Sequence, residues 1–526
     1  MAGKEVLADN PTNDQLKSSA TAQPKKKRKK HRWRNRILLT IAFIIVALIG
    51  LRTYLWLGYT LALRDVKNRG LPMTADDLRA MSSPLDGKNM VDDLGDVILG
   101  AKFNVTGKVD GDIPWYLDFP REELSKHPDA IAAIKKQMAS HAGIYDELMR
   151  EGDWAGGRWY VHYEDGLLTE SEHYDAIRFC VKLLAAKCEI AIAEGRSKET
   201  IAYLERIKLL ADSLKNEPQS LPALYRIAIR ALINGLIGRG LNNQIFDAAQ
   251  IARLRELLTE EETLRDKLLC IAKGERALTL ISMNDIPNVM YLVQGQRQQQ
   301  SSTIMIFDAL WKITGIRDLD YSKSLAFYDE YSNLIERDAW DEIETWEDNF
   351  NNQLSVLHFF TRIIKPMLGA LTTAFMQDDC MNQMTDTALA IEQFRLAKGS
   401  YPADLNQLVT AGYLKEIPQD LLNEGKSIGY RVGKNGAVVY SVGLDGIDDG
   451  GKAYNSSGSK TDGRKPGSHH YYQKNPEIYR TDLVVSLGNI HAALFPENAA
   501  KHEESIIKEW QYYKENDMAN ESSELP

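Results

Sequence analysis

The stretch FRLAKGSYPADLNQLVTAGYLKEIPQDLLNEGKSIGYRVGKNGAVVYSVG, residues 394–443, marks the point where the chain changes from helical to strand periodicity. Gly399 is a typical helix stop after a long helical pattern. The following runs SIGYRV and AVVYSVG are β-branched and aromatic, and GKNG between them is a good hairpin turn. With the later run DLVVSLG, they predict a long helix laid on a small antiparallel sheet.

The second of these strands runs into a loop that is rich in aspartate and glycine. The loop, VVYSVGLDGIDDGG, covers residues 438–451 and holds three aspartates and four glycines. It does not fit an EF-hand, because Ile447 and Ser456 stand where that motif needs its third and twelfth positions. Carboxylates and glycine carbonyls are nevertheless the hard oxygen ligands that calcium prefers. The loop is therefore either a calcium loop or a plain turn.

Residues 394–451 resemble the C-terminal domain of the major pseudopilin of type II secretion systems. The resemblance is carried by a G-x-Y-P turn at Gly399, a Y-L-x-x-I-P step at Tyr413 and a Y-S-x-G-x-D-G segment at Tyr440. It implies a pseudopilin-like α+β domain over residues 371–490.

The same resemblance implies a structural calcium ion, held by Asp445 and Asp448 with Asp482 as a later acidic ligand. The chain departs from the family pattern at Leu421, where the family has proline. It also lacks the prepilin-peptidase site of true pseudopilins, so cleavage and assembly into a pseudopilus are not expected.

The long middle of the chain, residues 64–370, is helical in pattern. Between residues 171 and 281, four apolar-periodic segments are joined by two to six residues, which predicts antiparallel hairpins in a helical array or bundle. The fold class is therefore mainly α with a small α+β C-terminal domain. The cysteines have no zinc spacing and are interpreted as buried small residues, although a disulfide between Cys270 and Cys380 stays open.

The N-terminal end combines a basic arm with an apolar segment. Residues 1–36 carry eleven Lys/Arg and three Asp/Glu, a net charge of +8 in a chain of formal net charge −9, so the remaining 490 residues carry −17. The arm is predicted to be disordered and is followed by ILLTIAFIIVALIGL, residues 37–51. Residues 37–63 are predicted to be a single transmembrane signal anchor, because no small-x-small cleavage site follows promptly.

The positive-inside rule places residues 1–36 in the cytoplasm and the bulk of the chain across the cell inner membrane, in the periplasm. An adjoining span explains the basic cluster better than nuclear import does. Residues 491–526 are predicted to form a C-terminal helix and a loose tail.

The whole layout also resembles large, uncharacterised membrane-anchored envelope proteins of planctomycete-type bacteria, through LPMTADDLRAM, GRWYVHYEDG and LLCIAKGERAL. The sequence favours a membrane-anchored extracytoplasmic binding or scaffold protein, with a protein partner and no nucleic acid. A subunit of a type II secretion apparatus is a related hypothesis. The alternative is an envelope enzyme with a site near residues 156–166, which needs His162 and Glu164 in a deep pocket.

Overall fold

The protein is mainly helical with small sheets, as the sequence predicts. The computed structural model describes residues 26–81, 87–105, 128–169, 172–284, 302–423, 425–433, 436–444, 446–448, 450–451 and 483–488. The chain forms two compact units, Met1–Leu57 and Gly58–Pro526. The first helices and strands are α1 Lys26–Asn68, α2 Ala75–Met81, β1 Lys88–Asn89, α3 Met90–Val105, α4 Pro128–Met138, α5 Ala142–Leu148 and β2 Trp154–Gly156. They are followed by α6 Glu172–Ala193, α7 Ser197–Asp212, α8 Ser220–Asn242, α9 Ala248–Leu258, α10 Leu264–Met283, α11 Ser302–Thr314, α12 Ile316–Glu336, α13 Glu342–Gln353, α14 Phe359–Ile364, α15 Leu368–Lys398, α16 Asn406–Thr410, β3 Gly429–Gly433, β4 Gly436–Ser441 and β5 Leu483–Gly488.

The first unit is built on the N-terminal part of α1, whose apolar side chains are exposed all round. By length and composition, the segment Trp33–Asn68 is able to cross a membrane. α1 begins at Lys26, so residues 26–36 of the predicted disordered arm are helical. Lysine and arginine are good helix formers, and no proline or glycine interrupts this part of the arm. Residues 1–25 lie outside the described residues.

The second unit begins at Gly58 and contains the helical array. α6 and α7 are joined by a short turn in which Gly195 has a φ of 70°, and they pack against each other and against α8. The largest apolar cluster joins α3, these three helices, α15 and the C-terminal sheet. All four cysteines are free and three of them are buried, so the disulfide between Cys270 and Cys380 is not formed.

One predicted helix is in fact two. The pattern from residue 248 to residue 281 predicts a continuous helix, but α9 ends at Leu258 and α10 begins at Leu264. Thr263 caps α10 in a capping box, in which its hydroxyl accepts from the Asp266 amide at 3.2 Å and the Asp266 carboxylate accepts from the Thr263 amide at 3.3 Å. This cap provides hydrogen-bond partners for amides that the start of a helix leaves without them, and it marks the start of a separate helix.

The C-terminal part consists of α15 and the sheet β3-β4-β5, in which both neighbouring pairs are antiparallel. α15 ends at Gly399, which has a φ of 79°. The central strand β4 is buried along its whole length, and α15 packs on β4 and β5 as well as on α8 and α9. The long helix and the three strands agree with the secondary structure that the sequence predicts.

α8 is the second helix that is long and apolar enough to cross a membrane. It lies inside the helical array, packed against α6, α7 and α15. Its arginines Arg226, Arg230 and Arg239 are all buried in this array. α8 is therefore a core helix of the second unit.

Candidate functional site

The aspartate-rich loop follows β4, and the structure describes only part of it. Asp448 is exposed, and its Oδ1 accepts a hydrogen bond from the Gly450 amide at 2.8 Å. Arg431 on β3 donates to the Gly450 carbonyl at 2.8 Å, which ties the loop to the sheet. Gly450 has a φ of 73°, a conformation that favours glycine. Asp445 and Asp482 lie outside the described residues.

Asp448 is a carboxylate, which is the type of oxygen ligand that calcium prefers. The described loop residues supply this single carboxylate, whereas calcium takes about six to eight oxygen ligands. Within the described ranges, no group of three or more His, Cys, Asp or Glu side chains that could hold a metal ion is found. The calcium site therefore stays a prediction that depends on Asp445 and Asp482.

A buried carboxylate, Asp420, fixes the start of this loop. Asp420 accepts from the Ser441 hydroxyl at 2.8 Å, the Val442 amide at 3.1 Å and the Leu422 amide at 3.0 Å. The Cys380 thiol of α15 lies 3.6 Å from the same carboxylate. Asp420 thus joins the long helix, the loop before β3 and the end of β4. Sequence reasoning missed this role and noted only the missing proline after it.

The segment at residues 156–166 does not gather a polar site. His162 and Glu164 are exposed, and Glu164 pairs with Arg79 at 2.8 Å. Trp159 is buried instead, where its indole donates to the Ser213 hydroxyl at 3.0 Å. The pocket that the enzyme hypothesis requires around His162 is therefore not formed by these side chains.

Trp159 belongs to a buried polar cluster between α6 and the end of α7. Its ring stacks on His173 at 4.8 Å between centroids. The carboxylate of Glu217 contacts His173 and Tyr174. His173 Nε2 lies 2.8 Å from Oε1, and the Tyr174 hydroxyl donates to Oε2 at 2.6 Å. Both carboxylate oxygens are used in internal contacts, so the cluster stabilises the packing of this corner.

A polar cleft of about 510 Å³ lies between α9 and α15. Its lining residues are Ala252, Arg255, Glu256, Leu258, Thr259, Glu260, Asn382, Gln383, Asp386, Gln393 and Pro418. Arg255 forms a forked pair with Asp386, with N–O distances of 2.7 Å and 3.0 Å. It also donates to the Gln393 side chain at 3.1 Å and to the Tyr413 carbonyl at 2.9 Å. Arg255 is therefore fixed in place and holds one wall of the cleft rigid.

Glu260 connects the cleft to an ion network buried beneath it. Its carboxylate lies 3.0 Å from Arg226 and 2.7 Å from Lys267, and it also pairs with Arg230. Burial alone would raise the pKa of Glu260, but these three cations outweigh burial and lower that pKa to about 2. Glu260 is therefore held as an anion.

The other side of the network comes from α15. Asp378 lies 3.0 Å from Arg230, and Asp379 lies 3.1 Å from Lys267. Burial raises the pKa of Asp378 to about 6, against the lowering effect of Arg230. The network thus joins α8, α10 and α15 below the floor of the cleft.

Chemically, the cleft offers amide groups, the exposed carboxylate of Glu256 and the immobilised guanidinium of Arg255, which suit a polar partner. The sequence signal for it is weak, because its walls come from residues 252–260 and 382–418. Comparison of the chain with protein-family models, with curated proteins and with solved structures finds no match.

Proposed function

We propose that this chain is a single-pass, membrane-anchored extracytoplasmic binding or scaffold protein. The observation that carries the proposal is the exposure of apolar side chains on every side of α1, such as Leu39, Phe43 and Val46 at 70%, 74% and 67%. The residues 37–57 would cover about 31 Å at about 1.5 Å per residue, which matches the hydrocarbon core of a bilayer. Water is a poor solvent for such a helix, and lipid is a good one.

The charges support one orientation in the cell inner membrane. The arm before the span has a net charge of +8, and the rest of the chain has −17. Arginine and lysine next to a span are retained on the cytoplasmic side. The chain after the span, which we call the body, then lies in the periplasm.

Alkaline carbonate extraction of membranes that contain the full chain tests the anchor. The expected result is that the protein stays with the lipid pellet, while a peripheral membrane protein in the same sample is released. Release of this chain into the supernatant contradicts the proposal.

The polar cleft between α9 and α15 is the part of the body that best supports binding of a partner. A photo-crosslinking residue in place of Gln383, on the cleft wall, tests this in the full chain. We expect a discrete crosslinked species that is absent when the same residue replaces Asp348, an exposed position on α13. Equal crosslinking at both positions contradicts a specific cleft partner.

A structural calcium ion in the C-terminal part is the second element of the proposal. It is supported by the resemblance of residues 394–451 to the pseudopilin domain and by the ligand type that Asp448 supplies. Calcium is expected to raise the melting temperature of the full chain in detergent, and a chelator to lower it. The shift should be lost in Asp445→Ala and kept in Glu256→Gln. A melting temperature that changes with neither calcium nor chelator contradicts the metal hypothesis and leaves the anchor proposal intact.

A further inference from the structure

A second apolar surface lies on the body itself. On α11, Met305, Ile306, Leu310 and Ile313 are exposed at 55%, 60%, 56% and 72%. The segment 354–367 adds Val356 and Met367, at 81% and 61%. We call these six side chains the apolar face. A surface of this kind in a folded protein usually marks a contact with another protein or with lipid.

α11 is held on the body by Trp311 and by Phe307, whose ring centroid lies 6.0 Å from that of Phe359 on α14. Trp311 is buried, and its ring centroid lies 4.6 Å from that of Phe360 on α14 and 6.4 Å from that of Tyr321 on α12. Met305, Ile306, Leu310 and Ile313 of α11 remain exposed. A helix with most of its apolar residues outside is suited to an apolar solvent.

The apolar face adjoins the place where the chain leaves α1. Tyr59, near the end of the apolar stretch, lies 5.0 Å from Tyr321 between ring centroids. Val66 is buried in the same cluster as Trp311 and Tyr321. These contacts tie the cluster around Trp311 to the C-terminal part of α1.

One basic side chain of the two segments also favours lipid. Of the four Lys/Arg in residues 302–317 and 354–367, three are paired with Asp308, Asp318 and Glu347, and Arg362 is exposed. Basic residues beside an apolar surface attract anionic phospholipid headgroups. Arg362 is exposed in this region, and its long side chain is able to reach a headgroup while its stem lies on apolar surface.

We propose that the apolar face lies in the headgroup–acyl boundary of the bilayer that α1 spans, so that the body is held against the membrane by a second contact. The proposal rests on the anchor proposed above. Apolar residues of an interfacial helix insert by about 5–10 Å at this boundary. The contact fixes which side of the body faces the lipid.

The test uses the full chain in lipid nanodiscs with a polarity-sensitive probe on single cysteines. The test positions are Ile313→Cys on α11 and Val356→Cys in the second segment. Val432→Cys, an exposed apolar position on the edge strand β3, is the matched control. Leu48→Cys reports on the span. The native cysteines are buried or half-buried, and the unsubstituted chain gives the background.

The emission of the probes at residues 313 and 356 should be blue-shifted by their apolar surroundings and quenched by lipids with a nitroxide near the headgroup. The probe at residue 432 should show neither change. If the probe at residue 48 meets lipid and the probes at residues 313 and 356 meet only water, the second contact is wrong and the anchor stands. If the probe at residue 48 also fails to meet lipid, the anchor itself is wrong. If the probes at residues 313 and 356 are shielded from both lipid and aqueous iodide, protein covers the face and the proposal is overturned.

Discussion

α1 and α8 are both long and apolar enough to cross a membrane, yet they have opposite environments. The part of α1 before Gly58 exposes apolar side chains on every side, and Arg52 is the single charged residue between Ile37 and Leu63. α8 is packed inside the helical array and carries three buried arginines. Apolar composition is therefore not sufficient to identify a span, because a core helix has the same average composition.

The arginines of α8 show what makes the difference. Arg239 donates to buried Glu189 of α6 at 2.9 Å, while Arg226 and Arg230 share Glu260. A buried charge is stable only when it is paired and hydrogen-bonded. The protein supplies those partners around α8, whereas lipid would supply none around α1.

The largest expected effect comes from removing the shared carboxylate of α8. Glu260→Gln removes the negative charge that three buried cations share, and it should lower the free energy of unfolding by about 3–5 kcal/mol. Chemical denaturation of the full chain in detergent measures this change. Glu256→Gln is the matched control, because Glu256 is exposed and its pair with Arg253 should contribute less than about 1 kcal/mol. Equal effects of the two substitutions contradict a buried network.

The converse change puts an arginine into α1. Leu48→Arg should oppose membrane insertion by about 2.5–3.5 kcal/mol, because the span has no acidic residue to pair with it. The fraction of full-length protein recovered with membranes measures the effect, with Leu48→Ile as control. Unchanged recovery of the arginine variant would show that α1 is not in lipid.

The pH dependence of stability tests the other carboxylate under α8. The pKa of Asp378 is raised to about 6 in the folded protein, against an ordinary value of about 3.9. The folded state then binds this proton more tightly, so the contribution of Asp378 to stability is present below about pH 4 and is lost as the pH rises through about 6. A shift of this size corresponds to about 3 kcal/mol.

Asp378→Asn should remove this loss, so that the free energy of unfolding changes less between about pH 4 and pH 6 than it does in the wild type. Glu260 has the opposite sign, because its pKa is lowered to about 2, so its contribution is present above about pH 4.5 and is lost as the pH falls through about 2. Denaturation midpoints between about pH 2 and pH 7 measure both effects. A wild-type profile that is already flat between pH 4 and pH 6 would contradict the burial of an ionising Asp378.

The smallest expected effect concerns the N-terminal cap of α10. Thr263→Ala removes the capping box of α10 and should cost about 1 kcal/mol of stability. Thr263→Ser keeps the hydroxyl and should restore the wild-type value. Thermal melting of the full chain compares the two, and a serine variant as unstable as the alanine variant would argue against the cap.

Local patterns in the sequence predict much of this fold. The apolar run of α1, the hairpins of the array, the stop at Gly399 and the three C-terminal strands all follow from periodicity and turn residues. These features depend on neighbours within a few residues, where the sequence is most informative.

Features that depend on distant partners could not be predicted in this way. The break between α9 and α10 was missed because Glu260 resembles an exposed helical residue, whereas its partners lie on α8 and α10. The role of Asp420 depends on Ser441 and Val442, which reach it only in the folded sheet. The parallel pair β1-β2 joins Lys88 to Trp154 and Asn89 to Gly156, and short strands of this kind carry little local signal.

Cysteine accessibility in intact spheroplasts tests the difference between α1 and α8 most directly. Single cysteines replace Ser18 in the basic arm, Glu151 before α8 and Asp348 after α8, and the last two positions are exposed. With a membrane-impermeant maleimide, Glu151→Cys and Asp348→Cys should react at once, and Ser18→Cys only after permeabilisation. If Asp348→Cys reacts only after permeabilisation while Glu151→Cys reacts at once, α8 crosses the membrane and the single-span account is wrong.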